Sequence, residues 1–225
     1  LTHGQGGLTP ENGFADQGEV VIRTREASDR LGGTKMDRPE WTAISPVTGE
    51  VFVSLTNNTQ RGKPGLPGAD AANPRAPNPT GHLLRWRHGG DLAAETFQWD
   101  IVALGGGETA GDAFSGPDGL TVDPFGRLWV ATDGEPMTAA APGERLWLPR
   151  NQLLACDPVA PGGVNMRRFL VAPPGCEVTG PVITPDGRTL FLNIQHPDPG
   201  WPAPGGRPRS ATVVVTKDDG GVIGG

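Results

Sequence analysis

Three acidic residues lie at or just before the start of three similar β-hairpin sequences, which occupy residues 37–54, 117–130 and 179–192. When the hairpins are aligned on their turn prolines, Glu40 and Asp118 occupy the same position, and Glu177 lies two residues before the equivalent Thr179. Because a shift of two residues keeps a strand side chain on the same face, the three carboxylates are predicted to point the same way. Oxygen ligands that converge from separate strands suit hard cations such as Ca²⁺.

A second interpretation of these acids stays open, because acidic residues beside Pro and Gly also cap turns or face water. Arg38, two residues before Glu40, also has two possible roles, phosphate recognition or a surface ion pair. In an extended stretch it would share a face with Glu40, and a rigid guanidinium beside a metal site is suited to phosphate recognition. The alternative is a surface arginine that pairs with Asp37.

Other residue types give weaker indications of chemistry. His82 and His196 are candidates for metal or acid–base groups, with a structural role as the alternative for each. The chain has no Gly-x-Ser-x-Gly motif, which disfavours a serine hydrolase. Cys156 and Cys176 lie twenty residues apart without a CxxC motif, and this spacing does not decide whether they form a disulfide.

The hydrophobic pattern predicts an all-β chain with nine or ten strands and no clear amphipathic helix. Residues 1–19 are predicted to be loop, residues 20–25 a short β-like run, and residues 27–35 a brief helix or loop. A Pro/Gly-rich surface loop is expected at residues 62–79 and a Pro/Ala-rich loop at residues 135–149. Three similar hairpins suggest blades of a β-propeller, and four strands per blade would give two to three blades, too few to close a ring.

The amino-acid composition and net charge limit the classes of molecule that the protein can bind. The chain has 225 residues, of which 35 are Gly and 24 are Pro, and these residues separate β-rich runs at hairpin spacing. A formal net charge of −6 argues against nucleic-acid and anionic-membrane partners. No run of apolar residues is long enough for a transmembrane helix. The start Leu1-Thr2-His3, without an initiator Met or signal peptide, suggests a cut inside a longer protein.

Several short sequence segments, taken in chain order, resemble the C-terminal part of the PhoX-type alkaline phosphatases, a secreted bacterial family. The resemblance covers residues 20–225, and the matching segments are residues 36–41, 78–86, 114–120, 128–134, 168–180, 193–197 and 207–212. The family implies a six-bladed β-propeller. Residues 1–225 would then be the C-terminal part of a single propeller domain, about the last half of the ring, with the N-terminal blades absent.

The resemblance also implies an axial site with two Fe³⁺ and three Ca²⁺ ions, bridged by an oxo group, that hydrolyses phosphate monoesters. By match to the family's Arg-Pro-Glu motif, Arg38 would bind the substrate phosphate and Glu40 would be a metal ligand. Asp118 and Glu177 match acids of the calcium-binding part. The family's iron-binding cysteine belongs to an earlier region that this chain lacks, so Cys156 and Cys176 do not take that role.

Small-molecule phosphate esters are therefore the expected partners. The full-length enzyme is expected to be periplasmic or secreted and monomeric. The 225-residue chain is expected to be inactive alone. Two other classes stay open. One is a lactonase-like calcium propeller hydrolase, which is also built of Asp-Gly-Leu-x-x-Asp hairpins. The other is a non-enzymatic propeller segment used for binding.

Overall fold

The computed structural model describes residues 1–106, 113–134, 151–158 and 164–225. These residues form two compact units, residues 1–35 and residues 36–225. The loop expected at residues 135–149 lies outside the described residues. Within the described part of the chain, no helix has the length and apolar character needed to cross a membrane.

The first unit is helical, which corrects the prediction of a β-like run at residues 20–25. A short 3-10 helix at Pro10–Asn12 precedes α1 (Gln17–Ile22) and α2 (Thr24–Arg30). The Asp16 side chain accepts a hydrogen bond from the Glu19 backbone N–H and caps α1. Val20 and Ala27 are buried in one cluster with Leu8 and Phe14. Capping and burial of one face thus outweigh the β-propensity of the consecutive branched residues.

The second unit contains three antiparallel sheets among its described residues, which confirms the all-β prediction for this part of the chain. The first sheet contains β1 (Pro39–Ile44), β2 (Val51–Leu55), β3 (His82–Arg87) and β4 (Gln98–Leu104). The second contains β5 (Pro117–Val122), β6 (Leu128–Thr132), β7 (Gln152–Cys156) and β8 (Arg167–Val171). The third contains β9 (Glu177–Ile183), β10 (Thr189–Gln195) and β11 (Ala211–Thr216).

Strand order follows chain order in every sheet, and the three predicted hairpins are the first two strands of the three sheets. The described residues thus form eleven strands instead of nine or ten. The first strands are neighbours, because β5 contacts both β1 and β9. The candidate acids therefore lie on, or directly beside, three adjacent strands.

Strand β6 of the second sheet is buried on both faces. Leu128 and Val130 belong to a cluster that includes Phe52 of the first sheet. Trp129 and Ala131 belong to a different cluster, which includes side chains of the third sheet such as Leu190. Since successive strand residues point to opposite faces, a strand between two sheets must be apolar throughout. This requirement explains the uninterrupted apolar run at this point in the sequence.

Candidate metal and phosphate site

The first strand of each hairpin contains a one-residue β-bulge, at the same aligned position in β1 and β5 and one residue later in β9. The register shifts between Pro39 and Thr42 in β1, between Pro117 and Leu120 in β5, and between Thr179 and Val182 in β9. A bulge kinks the strand and redirects nearby side chains, and bulges are common beside active sites. Glu40 and Asp118 both lie within their bulges, which gives a structural reason for their shared position in the sequence.

Three carboxylates meet at the candidate metal site. Asp118, Asp133 and Glu177 each offer an oxygen within 4.8 Å of the other two, and all three side chains are partly buried. The structure therefore brings together two of the acids identified from the sequence, Asp118 and Glu177. It adds Asp133, which the hairpin alignment of the acids did not single out.

The position of Asp133 follows from the register of the hairpins. Its backbone N–H donates to the Gly116 carbonyl at 2.8 Å, directly after β6. Gln195 faces Glu177 at the equivalent place in the third hairpin. The signal that locates Asp133 is thus its pairing at the end of the second strand, whereas the sequence comparison followed only the first strands.

Electrostatics place Glu40 and Arg38 near the same cluster. The pKa of Asp118 is raised from 3.8 to about 6, first by burial and then by the negative charges of Glu40 and Glu177. The positive charge of Arg38 acts in the opposite direction. All four residues identified from the sequence therefore lie in one region, although Glu40 is outside the group of three closely spaced carboxylates.

Ser54 of β2 and Thr56, which comes directly after β2, hold Asp118 in place. The Ser54 hydroxyl donates to the Asp118 carbonyl at 2.7 Å and accepts from the Trp41 backbone N–H at 3.0 Å. The Thr56 hydroxyl donates to the Pro117 carbonyl at 3.1 Å. Ser54 and Thr56 are buried, so these bonds have little competition from water. They join the bulges of β1 and β5 through neighbouring backbone groups.

Asn151 links Asp133 to the strand that carries Glu177. Its Oδ1 accepts from the Gly134 backbone N–H at 2.8 Å, and its Nδ2 donates to the Cys176 carbonyl at 2.9 Å. Glu177 itself accepts a hydrogen bond from Gln195 Nε2 at 3.1 Å. A single amide side chain therefore fixes the residues next to two of the three clustered carboxylates.

Gly116 permits the close turn at Asp133. Its φ is +61°, and a Cβ built there would lie 2.6 Å from the Gly134 Cα. Both the backbone conformation and the contact with another backbone exclude a larger residue without movement. Glycine at this position is therefore a requirement of the site's geometry.

Arg38 is exposed, and its guanidinium is hydrogen-bonded to side chains beside the carboxylate cluster. Its Nη1 donates to Asn57 Oδ1 at 3.1 Å and its Nη2 to Glu40 Oε1 at 3.4 Å, while 57% of its side chain stays accessible. The alternative pairing with Asp37 is wrong, because Asp37 is buried and paired with Arg61 at 2.6 Å. An accessible guanidinium beside acidic side chains has the geometry for binding an anion that a cation also contacts.

The two histidines differ in environment. His82 is completely buried, and its ring nitrogens face Asn78 Nδ2 at 3.0 Å and the Ala72 carbonyl at 2.8 Å. The amide must donate to Nδ1, so Nε2 carries the proton that the carbonyl accepts. Burial also lowers the pKa of His82, which favours a neutral structural group. His196 is exposed and takes a φ of +53°.

Cys156 and Cys176 are both buried and are not joined to each other by a disulfide. Burial raises the pKa of Cys156 to about 12, so this thiol is protonated near neutral pH and is a poor metal ligand.

The carboxylate cluster fits a hard cation. Three acidic groups held this close and partly buried repel one another, and a divalent or trivalent ion would relieve that repulsion. Calcium takes six to eight oxygen ligands, so these three residues fit one wall of a calcium site, with further ligands supplied by other groups.

The comparisons with known proteins agree with this chemistry. The family model described as alkaline phosphatase PhoX matches residues 1–198. A search of curated proteins finds no match. Among solved structures, the chain is similar to Pseudomonas fluorescens PhoX in complex with vanadate, a transition state analogue, with 42% identity and a TM-score of 0.89. The alignment covers 100% of this chain and 41% of that chain, so the chain spans less than half of its relative. The chain belongs to the PhoX alkaline phosphatase family.

Proposed function

We propose that this chain supplies part of the active site of a metal-dependent alkaline phosphatase that hydrolyses phosphate monoesters. The observation that carries the proposal is the cluster of Asp118, Asp133 and Glu177 with Arg38 and Glu40 beside it. The similar PhoX structure contains vanadate, a transition state analogue, which supports phosphate chemistry at such a site. Family membership favours this function over the lactonase-like and non-enzymatic alternatives.

The acids would serve as ligands for the Fe³⁺ and Ca²⁺ ions that the family resemblance implies. Glu40, Asp118 and Glu177 are the proposed ligands, and Asp133, whose carboxylate lies close to those of Asp118 and Glu177, is proposed as a further ligand in the calcium part of the site. When bound, these ions would neutralise phosphoryl oxygens and lower the pKa of a nucleophilic water. The raised pKa of Asp118 supports this assignment, since unbalanced negative charge is what a cation would compensate.

Arg38 would bind and orient the phosphate. Its planar guanidinium can make two parallel hydrogen bonds to phosphoryl oxygens, and more than half of the side chain is accessible. The bonds to Glu40 and Asn57 limit the directions in which it can point. A fixed positive group lowers the barrier when negative charge develops on the phosphoryl oxygens during in-line attack.

We further propose that residues 1–225 belong to one six-bladed propeller domain and account for about half of its ring. Val182, Phe191 and Val214 lie side by side across the third sheet and are exposed, so one sheet face presents apolar residues to solvent. In a complete ring another blade would cover such a face. The remaining blades would also supply the missing metal ligands, and the chain alone would be inactive. A periplasmic or secreted location and a monomeric full-length state complete the proposal.

The decisive experiment is hydrolysis of p-nitrophenyl phosphate by the full-length protein carrying this sequence, purified with Fe³⁺ and Ca²⁺ and analysed for both metals. Glu40→Gln should abolish activity by removing a charged ligand. Arg38→Ala should lower kcat/KM by roughly 10²–10³-fold, the scale for one preorganised electrostatic group. The exposed Glu95 and Arg25 provide matched controls as Glu95→Gln and Arg25→Ala. Wild-type kinetics in either site variant would contradict the assigned roles.

A further inference from the structure

A group of completely buried polar side chains lies directly beside Arg38 and takes no part in the site described above. It includes Asp37, Arg61, Asn73, Asn78 and His82. Burying charged and polar groups is costly unless they are paired and hydrogen-bonded. Such a network constrains geometry tightly, because each member can move only if its partners move too.

Asp37 is the centre of this network. Its Oδ1 accepts from Arg61 Nε at 2.6 Å and from Asn58 Nδ2 at 2.9 Å. Its Oδ2 accepts from Asn78 Nδ2 at 3.0 Å, and its backbone N–H donates to Asn73 Oδ1 at 3.0 Å. The residue immediately before Arg38 is therefore fixed at both its side chain and its backbone.

The same network fixes the residue after Asn57. Asn58 donates to Asp37, its Oδ1 accepts from the Arg61 backbone N–H at 3.0 Å, and its backbone N–H donates to the Asn78 carbonyl at 2.6 Å. Asn57 in turn accepts from Arg38 Nη1 at 3.1 Å. Arg38 and Asn57 are thus each bonded in the chain to a residue of the buried network, Asp37 and Asn58, and these two residues are hydrogen-bonded to each other.

The backbone of Arg38 needs such support. Its φ of +52° lies in the left-handed region, which is unfavourable for an arginine. Its carbonyl accepts from the Thr56 backbone N–H at 3.1 Å, next to Asn57. Unfavourable backbone conformations persist where the surrounding structure determines them, and they cluster at functional sites.

We infer that Asn57 is a positioning residue for Arg38, and that the buried Asp37–Arg61 ion pair holds Arg38 and Asn57 in register. The inference rests on the proposed function, in which Arg38 binds phosphate. Asn57 suits this role because a neutral amide oxygen orients the guanidinium without cancelling its charge. Arg38 is then preorganised toward the phosphate before substrate arrives.

The test is a double-mutant cycle in the full-length protein carrying this sequence, with inorganic phosphate and vanadate as inhibitors. Asn57→Ala should weaken both inhibition constants by about 10-fold, the scale for a hydrogen bond to a charged group. In the Arg38→Ala background, the same substitution should have no further effect. The melting temperature should stay close to that of the parent, because Asn57 is only partly buried.

The outcomes separate the inference from the proposed function. If Arg38→Ala weakens inhibition and Asn57→Ala does not, or if Asn57→Ala costs the same in both backgrounds, Asn57 does not act through Arg38 and the inference fails alone. If Arg38→Ala leaves inhibition unchanged, the phosphate-binding role of Arg38 fails and the inference fails with it.

Arg61→Lys tests the ion pair, because it keeps the charge but loses the planar guanidinium. We expect it to weaken phosphate inhibition several-fold in the parent background and not in the Arg38→Ala background. Arg87→Lys is the matched control, since Arg87 pairs with Glu50 and Asp100 in the first sheet. A lower melting temperature for Arg61→Lys with unchanged inhibition constants would make the ion pair purely stabilising and would overturn its positioning role.

Discussion

Replacing Asp118 with asparagine should stabilise the metal-free protein above pH 6 and remove most of its stabilisation by Ca²⁺. The side chain is partly buried next to Glu177 and Asp133, and its ionised form lacks sufficient positive charge nearby. Asparagine has almost the same shape, carries no charge, and can donate a hydrogen bond to a neighbouring carboxylate. The substitution therefore removes the repulsion while keeping the packing.

The magnitude follows from the pKa of Asp118, which is raised from 3.8 to about 6 by burial and then by Glu40 and Glu177. A shift of roughly two units corresponds to about 3 kcal/mol. Because the group is only partly buried, solvent screening reduces this to about 1–2 kcal/mol. A carboxyl group with a raised folded-state pKa stabilises the fold below its unfolded-state pKa, and this contribution is lost as pH rises through about 6. The advantage of the variant should thus be absent near pH 4 and complete above pH 6.

The assay is urea unfolding between pH 4 and pH 8, first with a chelator and then with Ca²⁺. Without metal, Asp118→Asn should unfold at a higher urea concentration than the parent above pH 6. With Ca²⁺ at 100 times its dissociation constant, the parent should gain about 2.7 kcal/mol and the variant much less.

Asp186 provides the control. This exposed acid has a lowered pKa, mainly because of its hydrogen bond with Thr184, so Asp186→Asn should not stabilise the protein and should not alter the Ca²⁺ response. Equal Ca²⁺ stabilisation of the parent and Asp118→Asn, or a pH-independent difference between them, would refute the reasoning.

Three further predictions concern the chain, a glycine and a thiol. The 225-residue chain purified with Fe³⁺ and Ca²⁺ should show almost no p-nitrophenyl phosphate hydrolysis beside the full-length protein, and comparable turnover would show that the site is complete within these residues. Gly116→Ala should destabilise the protein by about 2 kcal/mol or more in urea unfolding, because Gly116 has a positive φ and lies against Gly134. Gly89→Ala is the control, since a Cβ at Gly89 would lie in open space. Equal stability of the two variants would contradict the packing argument. Cys156 should react with a thiol reagent only after unfolding, because it is buried and its pKa is about 12; rapid labelling of the native protein would contradict this.

Local sequence rules were sufficient for the hairpins. Alternating β-rich runs separated by Pro-Gly turns predict β1–β2, β5–β6 and β9–β10, because these strands pair with their nearest neighbours in the chain. The shared position of Glu40 and Asp118 was visible for the same reason. The β-like run expected at residues 20–25 is wrong, because a cap and a small buried cluster outweigh the β-propensity of residues 20–22. The brief helix or loop expected at residues 27–35 overlaps the second half of α2.

Only the tertiary structure showed how the site is assembled. Asp118 and Asp133 belong to one hairpin of the second sheet, and Glu177, more than forty residues further along the chain, joins them because the second and third sheets pack side by side. Asp37 pairs with Arg61 and Asn78, which lie 24 and 41 residues further along the chain, so no local pattern could pair them. The sequence by itself thus determined the repeated hairpins and identified most of the charged residues of the candidate site, namely Arg38, Glu40, Asp118 and Glu177. The packing between sheets and the buried polar network decided which of those groups meet, because these contacts depend on distance in space instead of spacing along the chain.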